Sequence, residues 1–293
     1  MLNKFRSLAY KYAIPAAFII FVLFDLFIHG VGRLLSLLPE SVAVGYISEI
    51  IMIALPIALV FVLGFAKTFK KGNFFKGILY LLPFIVLQLG LLVLFLAKNV
   101  GNPDAKWNPL SIIILGVFSI ICVGIREECL YRATFQNIVA KKYANSVKGI
   151  WITVIVGSVI FGLCHISNLF FGVHPISVLS QVINATILGV LFGAVYLRSG
   201  SIWSVVVVHA LTDLSGLASS TFLRNVSDIQ DFNQLSISWG SIAFHLIYVA
   251  WAIFLLRPSK CKEIYKNLCF ADEKTESADN SEATDNSVSA DNA

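Results

Sequence analysis

Eight long apolar stretches run through this 293-residue chain and constrain its fold more than any other feature. Hydrophobic residues make up 57% of the sequence and charged residues 13%, whereas soluble domains are about 45–50% apolar. A helix needs about 20 apolar residues to cross the hydrocarbon of a bilayer. We therefore predict an all-α, polytopic membrane bundle with about eight transmembrane helices. The spans lie approximately at 12–32, 43–66, 76–97, 109–131, 149–171, 176–197, 202–222 and 238–256.

The basic residues that flank these spans predict the orientation of the bundle, because cytoplasmic loops carry an excess of lysine and arginine. If the N-terminus lies inside, fifteen basic residues fall in the inner segments and four in the outer loops. We therefore expect both termini to lie inside, and the first apolar stretch, which is too long for a signal peptide, to remain as a helix. The outer four are Arg33, Lys98, Lys106 and Arg224. The inner fifteen are Lys4, Arg6, Lys11, Lys67, Lys70, Lys71, Lys76, Lys141, Lys142, Lys148, Arg198, Arg257, Lys260, Lys262 and Lys266.

Composition divides the chain into four parts. Residues 1–108 hold the first three spans, 109–222 form a core with polar motifs, and 223–270 hold the last span and a basic cytoplasmic segment. Residues 271–293 contain seven acidic residues and one basic residue, so we expect a disordered acidic tail that cannot bury a core. The basic excess elsewhere is what anchoring to anionic lipid produces, so the lipid bilayer is an expected partner and nucleic acid is not.

Five ionisable residues lie inside the apolar stretches between positions 127 and 213. Each costs roughly 3 kcal/mol or more at the centre of a bilayer, so a cluster of them predicts a functional site. All five belong to short patterns with helical spacing. The patterns are EExxxR from Glu127 and Glu128 to Arg132, FxxxH from Phe161 to His165, and HxxxD from His209 to Asp213.

Spacing assigns different tasks to the two adjacent glutamates. Side chains four residues apart share a helix face, so Glu128 can pair with Arg132, or with Arg126 if the local turn allows it. Glu127 points about 100° to one side and is then the carboxylate left free to take a proton from water. The alternative is a structural ion cluster that holds the fourth helix to its neighbours.

The two histidines have structural interpretations beside the catalytic ones. A single membrane histidine such as His165 is more often an interhelical hydrogen-bond partner than a catalyst. His209 and Asp213 share a helix face and can act at one point, or Asp213 can simply fix the tautomer of His209. Counting residues from the ends of the spans predicts a site in the cytoplasmic half of the membrane.

In these motifs the chain resembles the CPBP family of intramembrane proteases, which includes the eukaryotic CAAX-prenyl endopeptidases and the bacterial Abi proteins. The three motifs occur in the family's order in consecutive spans, and the similarity covers roughly residues 109–220. The resemblance implies an eight-helix membrane endopeptidase that cuts a peptide bond near a substrate's C-terminus or within a precursor. The implied catalytic residues are Glu127, His165, His209 and Asp213, and the implied supporting residues are Glu128 and Arg132.

The resemblance also implies a role for each catalytic residue. Glu127 and His165 would activate the attacking water, and His209 with the residue at 213 would stabilise the oxyanion. The family pattern has asparagine where this chain has Asp213, and an ionised aspartate repels an oxyanion. Asp213 is therefore protonated, orients His209, or binds a metal. The four catalytic residues together could hold zinc, but the chain has no HExxH or other zinc spacing, so we expect catalysis without a cofactor.

Two other functions stay open. The departure at Asp213 and the link of bacterial family members to peptide immunity allow a bacteriocin-immunity or membrane-binding protein that holds a peptide without cutting it. An ion- or proton-coupled transporter also explains buried acids, although no inverted repeat is visible. From the family subtype we expect a bacterial cell membrane and a peptide or protein substrate that enters from the membrane or the cytoplasmic side.

Overall fold

The computed structural model describes residues 1–224 and 239–270, and the regular structure of these two ranges is helical. They contain no β-strand, only an isolated β-bridge between Trp107 and Leu223. The predicted acidic tail lies outside the described residues. The α-helices are α1 (Leu2–Lys11), α2 (Ala13–Leu35), α3 (Val42–Val62), α4 (Phe74–Asn99), α5 (Leu110–Leu130), α6 (Asn137–Tyr143), α7 (Val147–Leu163), α8 (Pro175–Ser199), α9 (Ile202–Gly216), α10 (Ala218–Phe222), α11 (Trp239–Leu255) and α12 (Cys261–Asn267). A π-helical segment covers Tyr131–Gln136, and 3-10 helices cover Ala66–Phe69, Cys164–Phe171 and Pro258–Lys260.

Six of these helices are long and apolar enough to cross a membrane, or seven if α11 and the segment after it, bent by 57°, form one span. The predicted class, an all-α membrane bundle, is confirmed. Within the described ranges the number is six or seven and not about eight, since the seventh stretch forms only the short apolar helix Ile202–Gly216. The backbone leaves helical geometry at Leu217, with φ −102° and ψ 17°. The expected long helix at 202–222 is therefore divided into α9 and α10.

The fourth span does not end near residue 131 as predicted but continues through the π-helical segment and α6 to Tyr143. The Thr134 hydroxyl donates to the Cys129 carbonyl at 3.0 Å, across five residues, which is the spacing of π-helical geometry. The whole helix has 34 residues, and Glu127 lies near its midpoint, about 25 Å from either end at 1.5 Å per residue. The predicted end of this span near residue 131 was therefore wrong, while the position of the site in the cytoplasmic half of the membrane stays a prediction.

The predicted inner segments lie together at one end of the bundle. Lys142 Nζ donates to the Lys11 carbonyl at 2.6 Å, and the Asn73 amide donates to the Ser199 carbonyl at 2.9 Å. We call this the basic end, because it carries all fifteen predicted inner basic residues. It comprises residues 1–12, 62–76, 137–148, 196–203 and 256–270. The opposite end, called the far end, comprises residues 36–41, 99–109, 171–174 and 216–224. The orientation of the two ends in a membrane stays a prediction.

The buried core lies in the half of the bundle next to the basic end. Residues 128–140 form one continuous buried run, and residues 191–202 form a second. In contrast, α2 buries only Ala13, Ala17 and Phe21, all in the half that starts at the basic end. The second half of α2, toward the far end, therefore stands away from the packed core.

Candidate active site

Three elements bring the three motifs together. The long helix of the fourth span, Leu110–Tyr143, supplies Glu127, Glu128 and Arg132. The 3-10 helix after α7 supplies His165, and α9 supplies His209 and Asp213. A small residue lets α5 and α9 approach closely, since a Cβ atom at Gly124 would lie 3.2 Å from the Val206 carbonyl oxygen. Gly124 is one turn before Glu128, so this close contact places the glutamates beside α9.

Glu128 is the centre of a buried ion cluster. Its Oε2 lies 3.2 Å from Arg132 Nε, and both side chains are fully buried. Its Oε1 lies 2.7 Å from His209 Nδ1. A carboxylate oxygen only accepts, so this contact assigns a proton to Nδ1 and leaves Nε2 as the ring nitrogen that can act elsewhere. The predicted pairing of Glu128 with Arg132 is present, and the bond to His209 is an addition that the sequence did not reveal.

Phe161, the first residue of FxxxH, lies between the two histidines and against Arg132. Its ring meets the rings of His165 and His209 edge to face, with centroids 5.7 Å apart in each pair. The guanidinium carbon of Arg132 lies 4.8 Å from the centroid of the Phe161 ring, within the range of a cation–π contact. Phe161 therefore separates the two histidines while it covers the buried arginine.

The free ring nitrogen of His209 faces two carboxylates. Nε2 lies 3.7 Å from Glu127 Oε2 and 3.6 Å from Asp213 Oδ2, both beyond hydrogen-bond length. The side chain of His209 is 5% exposed, whereas those of Glu127 and Asp213 are 21% and 26% exposed. Glu127 and Asp213 are thus the members of this group that solvent can reach.

His165 approaches the site from the side of α7. Its Nδ1 lies 3.3 Å from the Phe161 carbonyl oxygen. The same Nδ1 lies 3.2 Å from Cys164 Sγ. A proton on Nδ1 can be donated to the carbonyl, and in that tautomer Nε2 carries the lone pair. Among the described residues, no hydrogen bond or ion pair joins His165 to Glu127.

Glu127 and His165 instead share the wall of a cavity of about 750 Å³. This volume is typical of a site for a ligand of several residues or of drug size. The lining also includes further residues of the 3-10 helix Cys164–Phe171, Met52 of α3 and the second half of α2. Asp25 and His29 of α2 lie on the cavity wall, with Oδ2 and Nδ1 3.5 Å apart. His29 was not among the predicted site residues, although its spacing of four from Asp25 in an apolar stretch was a signal.

The site residues as placed do not form a zinc centre. In residues 1–224 and 239–270, no group of three or more His, Cys, Asp or Glu side chains is arranged to hold a metal ion. Of the two ring nitrogens of His209, Nδ1 is used for the contact with Glu128.

Comparison with known families agrees with this constellation. Residues 109–215 match the family model of the Rce1-like type II CAAX prenyl endopeptidases. The resemblance drawn from the three motifs is confirmed over this segment. At the level of the family, the match to the Rce1-like endopeptidases supports a multi-pass membrane protein with endopeptidase activity. No curated protein and no solved structure matches the chain.

The Rce1-like segment begins at the residue before α5 and ends in the last turn of α9. It contains all six predicted site residues. The α2 wall of the cavity, with Asp25 and His29, lies outside it. The cavity therefore combines an Rce1-like core with a wall from the N-terminal part of the chain.

The buried cluster predicts unequal effects for the two neighbouring glutamates. Glu128→Gln removes the negative charge that Arg132 and His209 share, and an unpaired buried charge costs about 3–5 kcal/mol. We expect this variant to unfold at a clearly lower temperature in detergent than the wild type. Glu127→Gln is the matched control, since Glu127 is partly exposed, and its unfolding should stay close to the wild type. Equal unfolding temperatures for the two variants would contradict the assignment.

Proposed function

We propose that this protein is an intramembrane endopeptidase that hydrolyses a peptide bond of a membrane-associated or C-terminal peptide substrate. In this proposal Glu127 and His165 activate the attacking water. The observation that carries it is that both residues lie on one cavity wall, while the adjacent Glu128 is fully buried in an ion cluster. A hydrolase needs a base that water can reach and space for a peptide, and this cavity offers both.

Glu127 suits the role of general base. It makes no hydrogen bond to another described side chain, and its ion pair with His209 has a separation of 3.7 Å. A water can therefore bind its carboxylate without displacing a structural contact. His165, with its proton on Nδ1, can accept a hydrogen bond from the same water through Nε2 and orient it.

His209 suits the role of oxyanion donor. Glu128 holds its Nδ1, which fixes the direction of the ring. In the imidazolium form, Nε2 presents an N–H group next to Glu127, where negative charge develops when water attacks the carbonyl. Arg132 and Glu128 then act as positioning residues through His209, without touching the substrate.

Asp213 lies beside the same ring nitrogen, Nε2 of His209. Its role therefore depends on whether its carboxyl group is protonated or ionised. We propose that Asp213 orients His209 and presents a protonated oxygen to the oxyanion, as an asparagine amide does with its N–H. An ionised carboxylate at this position would oppose the charge of the intermediate.

The first test is the conversion of Glu127 to its uncharged isostere. Glu127→Gln should lower cleavage by about 100-fold or more, because a general base contributes 10²- to 10⁴-fold. The readout is mass spectrometry of membrane peptides from cells with wild-type protein, with the variant and without the protein. Glu40→Gln, an exposed acid outside the cavity, is the control. Wild-type cleavage by a folded Glu127→Gln variant would overturn the assignment.

The runner-up function is a bacteriocin-immunity or membrane-binding protein that does not cut its ligand. The aspartate at 213, in place of the family's asparagine, is the observation that favours it. Protection of cells from a peptide by a variant carrying both Glu127→Gln and His165→Ala would support this alternative. Loss of protection together with loss of cleavage would support the protease.

Replacement of Asp213 separates a metal ligand from the other two interpretations, a protonated donor and a residue that orients His209. Asp213→Asn should retain most of the activity, because the amide can still contact His209 and donate to an oxyanion. Asp213→Ala should lose more, because it removes both interactions. The same mass-spectrometric cleavage assay measures both variants. Equal and severe losses would instead indicate that a carboxylate is required, as in a metal site.

Chelation tests the expectation that no metal takes part. We expect protein dialysed against a strong chelator to keep its cleavage activity, since the described carboxylates and imidazoles do not converge on a metal position. Elemental analysis of the same sample must show that it is free of zinc. Loss of activity on chelation with recovery on addition of zinc would contradict the proposal.

A further inference from the structure

The path from the basic end to the candidate site is closed by packed side chains. Residues 128–140, which follow Glu127 on the same helix toward the basic end, are all buried. Residues 191–202, which end α8 and begin α9 at the basic end, are also all buried. Asn137 and Tyr196 join these two runs by hydrogen bonds of 2.9 and 3.1 Å. A peptide therefore has no route to Glu127 through this layer.

The cavity extends in the opposite direction. On α2 its wall runs from Phe24 to Ser36, about 18 Å at 1.5 Å per residue, toward the far end. Near the far end its lining residues are exposed: Phe170 has an exposed fraction of 80% and Phe171 of 59%, and Arg33 and Ser36 are also exposed. These four residues form the mouth of the cavity.

The α2 wall is polar as well as open. Asp25, His29 and Arg33 follow one another at intervals of four, so they share one face of an otherwise apolar helix, and Ser36 continues that face. All of them line the cavity. Such a face is costly next to lipid, but it can hydrate a passage from the mouth to Glu127. Hydrolysis at Glu127, near the midpoint of the Leu110–Tyr143 helix, requires water from one end of the bundle. The polar face of α2 supplies a path for it from the far end.

The distribution of charge tells the two ends apart. The closed end carries fifteen lysines and arginines, whereas four lie at or next to the far end. Cytoplasmic loops carry this kind of excess, because translocation of clustered positive charge is disfavoured. The closed end is then cytoplasmic and the open mouth faces the other side.

We infer that Glu127 and His165 are reached from the extracytoplasmic side of the membrane, through the mouth formed by Arg33, Ser36, Phe170 and Phe171. This inference rests on the proposed function, because it concerns the substrate of that endopeptidase. It narrows the substrate to peptide segments in the outer half of the bilayer or outside it, such as an exported peptide or a membrane-anchored precursor. It differs from the expected entry from the membrane or the cytoplasmic side, because the helix that carries Glu127 continues to residue 143 and the layer around it is packed.

Labelling of single cysteines tests the sidedness. The background protein has the partly exposed Cys164 and Cys261 replaced by serine and keeps the buried Cys122, Cys129 and Cys269. Ser36→Cys places a thiol at the mouth, and Asn145→Cys, also exposed, places one at the basic end. A membrane-impermeant maleimide is applied to right-side-out spheroplasts and, in parallel, to permeabilised ones.

The expected result is that Ser36→Cys is labelled equally in intact and permeabilised spheroplasts, whereas Asn145→Cys is labelled several-fold more after permeabilisation. The reverse pattern, or labelling of both sites from outside, would overturn the inference. If the background does not fold, a protease site inserted at residues 36–41 of the otherwise wild-type chain gives the same decision, since cleavage by external protease is expected and resistance overturns it. Labelling does not depend on peptide cleavage. A protein that shows the expected labelling but cleaves no peptide would therefore refute the proposed function and leave the sidedness standing.

Discussion

The buried carboxylate of Glu128 is the interaction on which the candidate site depends. It lies between the guanidinium of Arg132 and the imidazole of His209, and none of the three side chains is more than 5% exposed. An unpaired charge would be costly when it is fully buried. The Glu128 carboxylate instead contacts both Arg132 and His209, so it connects the Leu110–Tyr143 helix to α9 and sets the direction of the His209 ring. Glu128 is committed to these two contacts, whereas the carboxylate of its neighbour Glu127 stays partly exposed. Two adjacent, chemically identical residues thus have different surroundings through their positions on one helix.

Much of this arrangement could be predicted from the sequence, because it follows from local spacing. The apolar stretches predicted the helices, and the interval of four predicted the contact of Glu128 with Arg132. The bond between Glu128 and His209 could not be predicted, since it joins residues 81 positions apart on different helices. The continuation of the fourth helix to Tyr143 was missed for a different reason. Its last segment contains Arg132, Gln136 and Asn137, which suggest a loop in a hydropathy profile, yet all three are buried by tertiary contacts.

That single error in helix length changed the predicted position of the site. A span ending near residue 131 places Glu127 about one turn from the end of its helix, whereas a helix ending at Tyr143 places a thick packed layer between Glu127 and the basic end. The cavity then opens where α2 leaves the core, and α2 contributes polar residues outside the segment that matches the Rce1-like family. In the proposed function, the segment that matches the family supplies the chemistry and α2 shapes the approach of the substrate.

The most direct test of this account is an experimental structure of the Glu127→Gln variant with a bound substrate peptide. The account predicts that the scissile carbonyl lies within hydrogen-bond reach of residue 127 and His209, that the peptide leaves through the mouth between α2 and the Cys164–Phe171 helix, and that Glu128 still contacts Arg132 and His209. A peptide bound next to Glu128, or one that passes through the basic end, would contradict it.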